Sequence, residues 1–242
     1  MKIKAIRPTA KADAPAKYHE FAAKRYKSLA SAGTEITVVC LDNAPPNVGP
    51  WIGHASEARI EAMAPYMAQE AVKAEEEGFD AVWFVAEWNV GAEIAKHLVN
   101  IPLIDTGPAA LHAAALVGSR ICILIMEDAS KPYARNLLNR WGMSHFVTSI
   151  KAWNIPIQEA WDRRAEIKET AIKLSNEAIE EEDAEVILPF AGAYVPTMVP
   201  VEEIQKEVSV PVINQAAVAL KIIEMFVNLK MRQSSKAYPA VI

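Results

Sequence analysis

The chain has 242 residues, is 52% apolar and 23% charged, and carries a formal net charge of -5, which is ordinary for a globular protein able to bury a full core without staples. Acidic and basic residues are interspersed, so no basic stripe of the kind a phosphate backbone requires is present, which argues against nucleic acid as a partner. No apolar stretch approaches the roughly 20 residues that span a bilayer, and the N-terminus runs straight into a strand-like pattern, so a cytoplasmic protein without membrane attachment is expected.

In chain order, strand patterns at about 2–6, 35–41, 81–86, 101–105, 120–126, 145–150, 185–190 and 210–213 alternate with helical patterns at about 15–31, 55–77, 91–99, 108–117, 131–141, 158–181, 200–208 and 215–229. This alternation predicts βαβ units with parallel strands and right-handed crossovers. The strands are near-continuous apolar runs, as expected when helices cover both faces of a sheet. The segment from Ile157 to Ile179 has apolar residues at three- and four-residue spacings and reads as an amphipathic surface helix.

One pattern occurs twice. Residues 75–86 (EEEGFDAVWFVA) and 180–191 (EEEDAEVILPFA) each give an acidic helix end, a break and an apolar strand closing on alanine, at Ala86 and Ala191. In both copies a second strand introduced by proline follows, at Pro102 and Pro211. The duplication predicts an α/β fold of two pseudo-symmetric, doubly wound lobes with parallel sheets. The first lobe is expected from residues 1–98 plus 213–242 and the second from 99–212. Open α/β sheets bind ligands beyond the carboxyl ends of their strands, so the site is expected in the cleft between the lobes. Five strand-end segments would line it: 7–9, 43–54, 87–89, 127–130 and 192–194.

Cys40 and Cys122 lie within β-branched apolar runs that look like buried central strands, where a thiolate is disfavoured. The five histidines are scattered, and no Cys-x-x-Cys or His-x-x-x-His spacing offers a metal site.

The order of elements resembles the aspartate/glutamate/hydantoin racemase superfamily, in its hydantoin-racemase-like branch. The residues that carry the likeness are Asp80-Ala81-Val82, Ile101-Pro102-Leu103-Ile104, the helix around Ala110-Leu111-His112-Ala113-Ala114-Ala115-Leu116, Val210-Pro211-Val212-Ile213, and the tail Ser234-Ser235-Lys236-Ala237-Tyr238-Pro239. The resemblance covers almost the whole chain. It implies a pair of cysteines, one at each repeat's strand end, that exchange protons with the substrate α-carbon without a cofactor. Aligned without gaps, those positions fall on Ala86 and Ala191, and alanine has no ionisable group. The family's Asn-Pro-Asn-Thr after the first strand stands here as Arg7-Pro8-Thr9-Ala10.

The ionisable neighbours of the two alanines then become the candidates. Glu87, wedged between Trp83, Phe84 and Trp88, is expected to have a raised pKa and to act as general base, against a role as stabiliser of the following helix. Tyr194 is the candidate acid opposite it, or else a pocket wall. Asp128 is the third catalytic candidate, its competing role being a helix cap. Arg7 would grip a carboxylate bidentately, with Thr9 beside it. Gly192 and Ala193 would let backbone N–H groups approach an anion. Asn89 reads as an N-cap or a ligand contact. Trp51 and Trp88 suggest a partly apolar ligand, and His54 stands in a Pro/Gly-rich loop long enough to be a lid. His112 reads as a core residue on an apolar helix face.

The expectation is a cofactor-independent enzyme working on a small carboxylate or cyclic amide by non-thiol proton transfer, of isomerase or lyase type. The alternative is a catalytically silent small-ligand-binding or regulatory protein on the same scaffold. A homo-oligomer, by default a dimer, is expected in either case.

Overall fold

A computed structural model describes residues 1–49 and 56–240. Among these residues, two parallel sheets are built on the same plan. The first has the order β2-β1-β3-β4, from β1 (Lys2–Ala10), β2 (Glu35–Leu41), β3 (Ala81–Phe84) and β4 (Leu103–Asp105). The second has the order β6-β5-β7, from β5 (Ile121–Ile125), β6 (Val147–Ala152) and β7 (Val186–Pro189). A single parallel bridge, Ile187 to Val212, stands where the repeat predicts a fourth strand in this sheet. Position by position, β5, β6, β7 and Val212 therefore correspond to β1, β2, β3 and β4.

Alternation along the central strands distributes their side chains between two apolar layers, because successive residues of a strand point to opposite faces. Val82 and Phe84 of β3, Ile121, Ile123 and Ile125 of β5, and Val186 and Leu188 of β7 enter one layer. Ala81, Trp83, Cys122, Leu124 and Ile187 enter the other. Each layer runs through both sheets. The helices that complete them are α1 (Ala16–Ser28), α2 (Glu57–Glu61), α3 (Ala64–Glu76), α4 (Ala92–Ala95), α5 (Thr106–Ala115), α6 (Lys131–Arg140), α7 (Arg164–Glu182), α8 (Val201–Gln205) and α9 (Gln215–Asn228).

Several elements are shorter than the sequence pattern suggests, and the causes are local. The helical run expected at 55–77 breaks between α2 and α3, where Pro65 sits in the first turn of α3 and its ring suits only a helix start. The run expected from 158 begins as turns and becomes helical at Arg164. In β1 the register with β2 shifts between Ile6 and Ala10, across Pro8, which has no N–H to give to a ladder. Cys40 lies on β2, an edge strand and not a central one.

After the bridge at Val212, α9 is capped by the Asn214 side chain, which accepts from the Ala217 N–H at 3.0 Å. It packs on α5, β3 and β4. The chain then returns along β4, where the Gln233 amide donates to the Leu103 carbonyl at 2.7 Å and accepts from its N–H at 3.2 Å. One side chain thus makes both hydrogen bonds that a neighbouring strand would make there. Among the described residues, no helix is long and apolar enough to cross a membrane.

Candidate active site

The carboxyl ends of β1, β3, β5 and β7 converge on one cleft, enclosing about 650 Å³ of empty space with its open mouth included. Arg7, Pro8 and Thr9 come from β1, Val85 to Trp88 and Val90 from the segment after β3, Met126 from the end of β5, and Ala191 to Ala193 from the end of β7. Ala86 and Ala191, the paired positions of the sequence repeat, thus line the same cavity. Tyr18 and Tyr26 of α1 and Ile157 complete the wall.

Glu87 is the buried carboxyl of this cleft, only 9% exposed. Burial pushes its carboxyl above the ordinary carboxylate range, while the Gly192 N–H, donating to Oε1 at 2.9 Å, pulls the other way. Three glycines make this placement possible. Gly192 has an ordinary helical φ of -56°, yet a Cβ there would stand 2.4 Å from Glu87 Oε1. A Cβ on Gly107, at the start of α5, would stand 2.1 Å from the Glu87 carbonyl oxygen. Gly91 closes the segment with a φ of 71°, and its Cβ would meet the Ala64 carbonyl oxygen at 2.5 Å.

Arg7 is buried, with its guanidinium 4.7 Å from the Tyr18 ring centre. Burial holds the Tyr18 phenol well above the usual tyrosine range, so its O–H stays protonated. The Tyr26 hydroxyl pairs with the Thr197 hydroxyl at 3.0 Å. Trp88 is fixed on two sides, stacked on Tyr133 and edge-on to Phe190.

The cleft gathers Arg7, Thr9, Ala86, Glu87, Trp88, Ala191, Gly192 and Ala193, but three other candidates point elsewhere. Tyr194 donates its hydroxyl proton to the Ile155 carbonyl and packs edge-on against Trp153. The irregular turn that begins at Ala193 carries it away from the cleft wall, correcting the expectation of an acid opposite Glu87. Asp128 is exposed and engaged by Lys131 at 2.6 Å and by the Asn154 amide at 2.9 Å, so it ties two loops together outside the cleft. Asn89 is buried with a φ of 54° and does not cap α4, whose N-cap is Gly91. Its side-chain oxygen has no hydrogen-bond partner among the described residues. His112 is exposed rather than in the core, its Nδ1 lying 2.8 Å from the Pro108 carbonyl. Trp51 and His54 lie outside the described residues.

Neither sulfur lines the cleft. Cys122 is fully buried in β5, and Cys40 borders a separate hollow. Among the described residues, no three His, Cys, Asp or Glu side chains are grouped to hold a metal ion. Sequence reasoning missed Tyr18 and Tyr26. Their signal was the spacing Tyr18, Ala22, Tyr26, the buried stripe of an otherwise charged helix.

A sequence model of the family described as Asp/Glu/Hydantoin racemase matches residues 13–223. Over 241 residues the chain is 26% identical to the hydantoin racemase of Pseudomonas sp. (strain NS671), covering 97% of this chain and 89% of that one. The allantoin racemase from Klebsiella pneumoniae superimposes with a TM-score of 0.85 at 23% identity, covering 100% of this chain and 95% of that one. The allantoin racemase from Pseudomonas fluorescens does so with a TM-score of 0.85 at 24% identity, covering 100% and 97%.

Proposed function

The chain belongs to the Asp/Glu/hydantoin racemase family, and from that premise we propose that it is a cofactor-independent enzyme that moves a proton at the α-carbon of a small carboxylate or cyclic amide, using the Glu87 carboxyl in place of the pair of thiols that the family resemblance implies. In this reading Ala86 and Ala191 occupy the positions of the two proton-carrying cysteines. The observation that carries it is the placement of Glu87, whose carboxyl is buried at a cleft lined by both alanines and is held on the Gly192 N–H. The names of the relatives, hydantoin racemase and allantoin racemase, support a cyclic amide as substrate.

The roles follow from charge and reach. Arg7 presents a cation at the cleft wall for a carboxylate or an enolate oxygen. Glu87 as carboxylate takes the α-proton, the C–H electron pair moves into the adjacent carbonyl, and the resulting enolate lies beside Arg7. Return of the proton from the Glu87 acid to the same face regenerates the substrate and shows only as α-proton exchange; an isomerase cycle is completed when the planar enolate first turns its other face to Glu87 and takes the proton there. In a lyase cycle the same acid protonates the carbanion left when a carboxylate departs as carbon dioxide. Thr9, Trp88 and Ala193 shape the wall around the substrate. The sequence pattern predicts lobes of 1–98 with 213–242 and of 99–212; because β4 pairs with β3 in the first sheet, the boundary in this reading falls after Asp105 and not at 98, and α9 packs on that same sheet.

Exchange of a substrate α-proton in deuterated water tests the assignment. Glu87→Gln is expected to lower the exchange rate by about 10²- to 10⁴-fold, the usual contribution of a positioned base. Full exchange in that variant would discard the role. The second reading, a ligand-binding protein without catalysis, is favoured by one feature: Glu87 already satisfies the Gly192 N–H that an anionic substrate would seek. It predicts binding without any exchange in the unaltered protein.

A further inference from the structure

Arg7 lines the main cleft, and the two side chains its Nη1 touches, His19 and Cys40, border a second hollow together with Lys11, Val39 and Asp42. Nη1 of Arg7 donates to Sγ of Cys40 at 3.7 Å and lies 3.4 Å from Nδ1 of His19. The Cys40 sulfur and His19 Nδ1 are themselves 3.3 Å apart, which closes a triangle. A guanidinium only donates, so Nδ1 must be the acceptor, and the imidazole carries its proton on Nε2. The histidine and the thiol come from different elements, α1 and β2, and meet at one nitrogen of the arginine.

We propose that Cys40 and His19 are positioning residues for Arg7, clasping its Nη1 from the second hollow so that the guanidinium is fixed at the wall of the main cleft. A clasp of two neutral acceptors orients a cation without neutralising it. A carboxylate in either place would orient it too, but would spend the charge that the cleft uses. Burial keeps the Cys40 thiol from ionising and holds the His19 imidazole in its neutral form, so the clasp itself stays uncharged near neutral pH. The Tyr18 ring steadies the same guanidinium. The consequence for binding rests on the reading of Arg7 as the anion anchor, whereas the clasp is a statement about Arg7 alone.

The two parts are tested separately on the full chain labelled with ¹⁵N. The side-chain N–H signals of Arg7, assigned by their loss in Arg7→Gln, report how firmly the guanidinium is held. Cys40→Ala and His19→Ala are each expected to speed their exchange with solvent by about tenfold, while the backbone amides of β5 keep their protection. Cys40→Ser, which keeps a hydrogen-bonding atom, is expected to restore most of the loss. Unchanged Arg7 exchange in both alanine variants would overturn the clasp, as would equal loss of protection throughout the protein. Phenylacetate, titrated by calorimetry, probes the consequence: binding should weaken about five- to tenfold in each alanine variant. Binding lost in Arg7→Gln but intact in both alanine variants would also overturn the proposal. Binding unchanged in Arg7→Gln would instead remove Arg7 as the anchor, leaving the exchange result to decide the clasp.

Discussion

Gly192 has a backbone conformation that any residue can adopt, so its lack of a side chain is explained by what approaches it: the Glu87 carboxylate. Gly192→Ala therefore keeps the backbone but displaces the carboxyl. The expected outcome is a drop of about tenfold or more in α-proton exchange, since even small misplacements of a reacting group are costly, with a melting temperature close to that of the parent. A variant that melts normally and exchanges normally would mean that Glu87 need not sit on the Gly192 N–H to work. The burial of Glu87 at the cleft was legible in the sequence because its neighbours are apolar and it follows a repeated strand end. Tyr194 was misread because the direction of its side chain depends on the turn from Ala193 to Met198, which no periodicity encodes.

At the level of elements, the segment between β3 and α4 is wedged in place by neighbours rather than by regular structure. Asn89 and Gly91 both have positive φ, and Gly91 lies against the α3 backbone. Gly91→Ala meets two penalties, the left-handed conformation and the Ala64 carbonyl, and should destabilise the fold by more than about 1 kcal/mol in urea unfolding. A loss within error of zero would show that this segment has room to shift. The strands and long helices were legible because the apolar pattern of a doubly covered sheet is strong and its period is fixed. The last strand was not: Val210-Pro211-Val212-Ile213 reads as a copy of the segment that forms β4, yet only Val212 bridges. Pro211 is not the cause, because Pro102 stands at the same place before β4 and accepts the same kind of bond on its carbonyl; past Ile213 the chain turns at once into α9, whose N-cap is Asn214, and the ladder ends there.

The molecule as a whole carries two buried carboxyls near the cleft whose titration opposes folding. Asp105 ends β4 beside Phe84 of β3, and neither of its oxygens has a hydrogen-bond partner among the described residues. Burial raises its pKa well above 3.8, with further upward pressure from Glu87, though Lys96 pulls against it. Below pH 3.8 both the folded and unfolded chains hold this proton. As the pH rises past that value the unfolded chain releases it and the folded chain retains it, so the contribution of Asp105 to stability falls until its folded-state pKa is passed. Asp105→Asn removes the titration. Relative to the parent it should be more stable at pH 8, because Asn has no charged form that burial opposes. The gain should shrink to nothing near pH 3, and thermal melts across that range will show whether it does.

Gln233 belongs to this scale as well. Parallel sheets of this kind grow by adding ribbons at an open margin, and a margin with unsatisfied amide and carbonyl groups accepts a ribbon from any molecule. By setting one amide into the β4 margin from a segment that is not itself a ribbon, the chain fills the first vacancy with a group that cannot pass the pairing onward. Lateral accretion meets a stopper there, supplied by the chain's own tail.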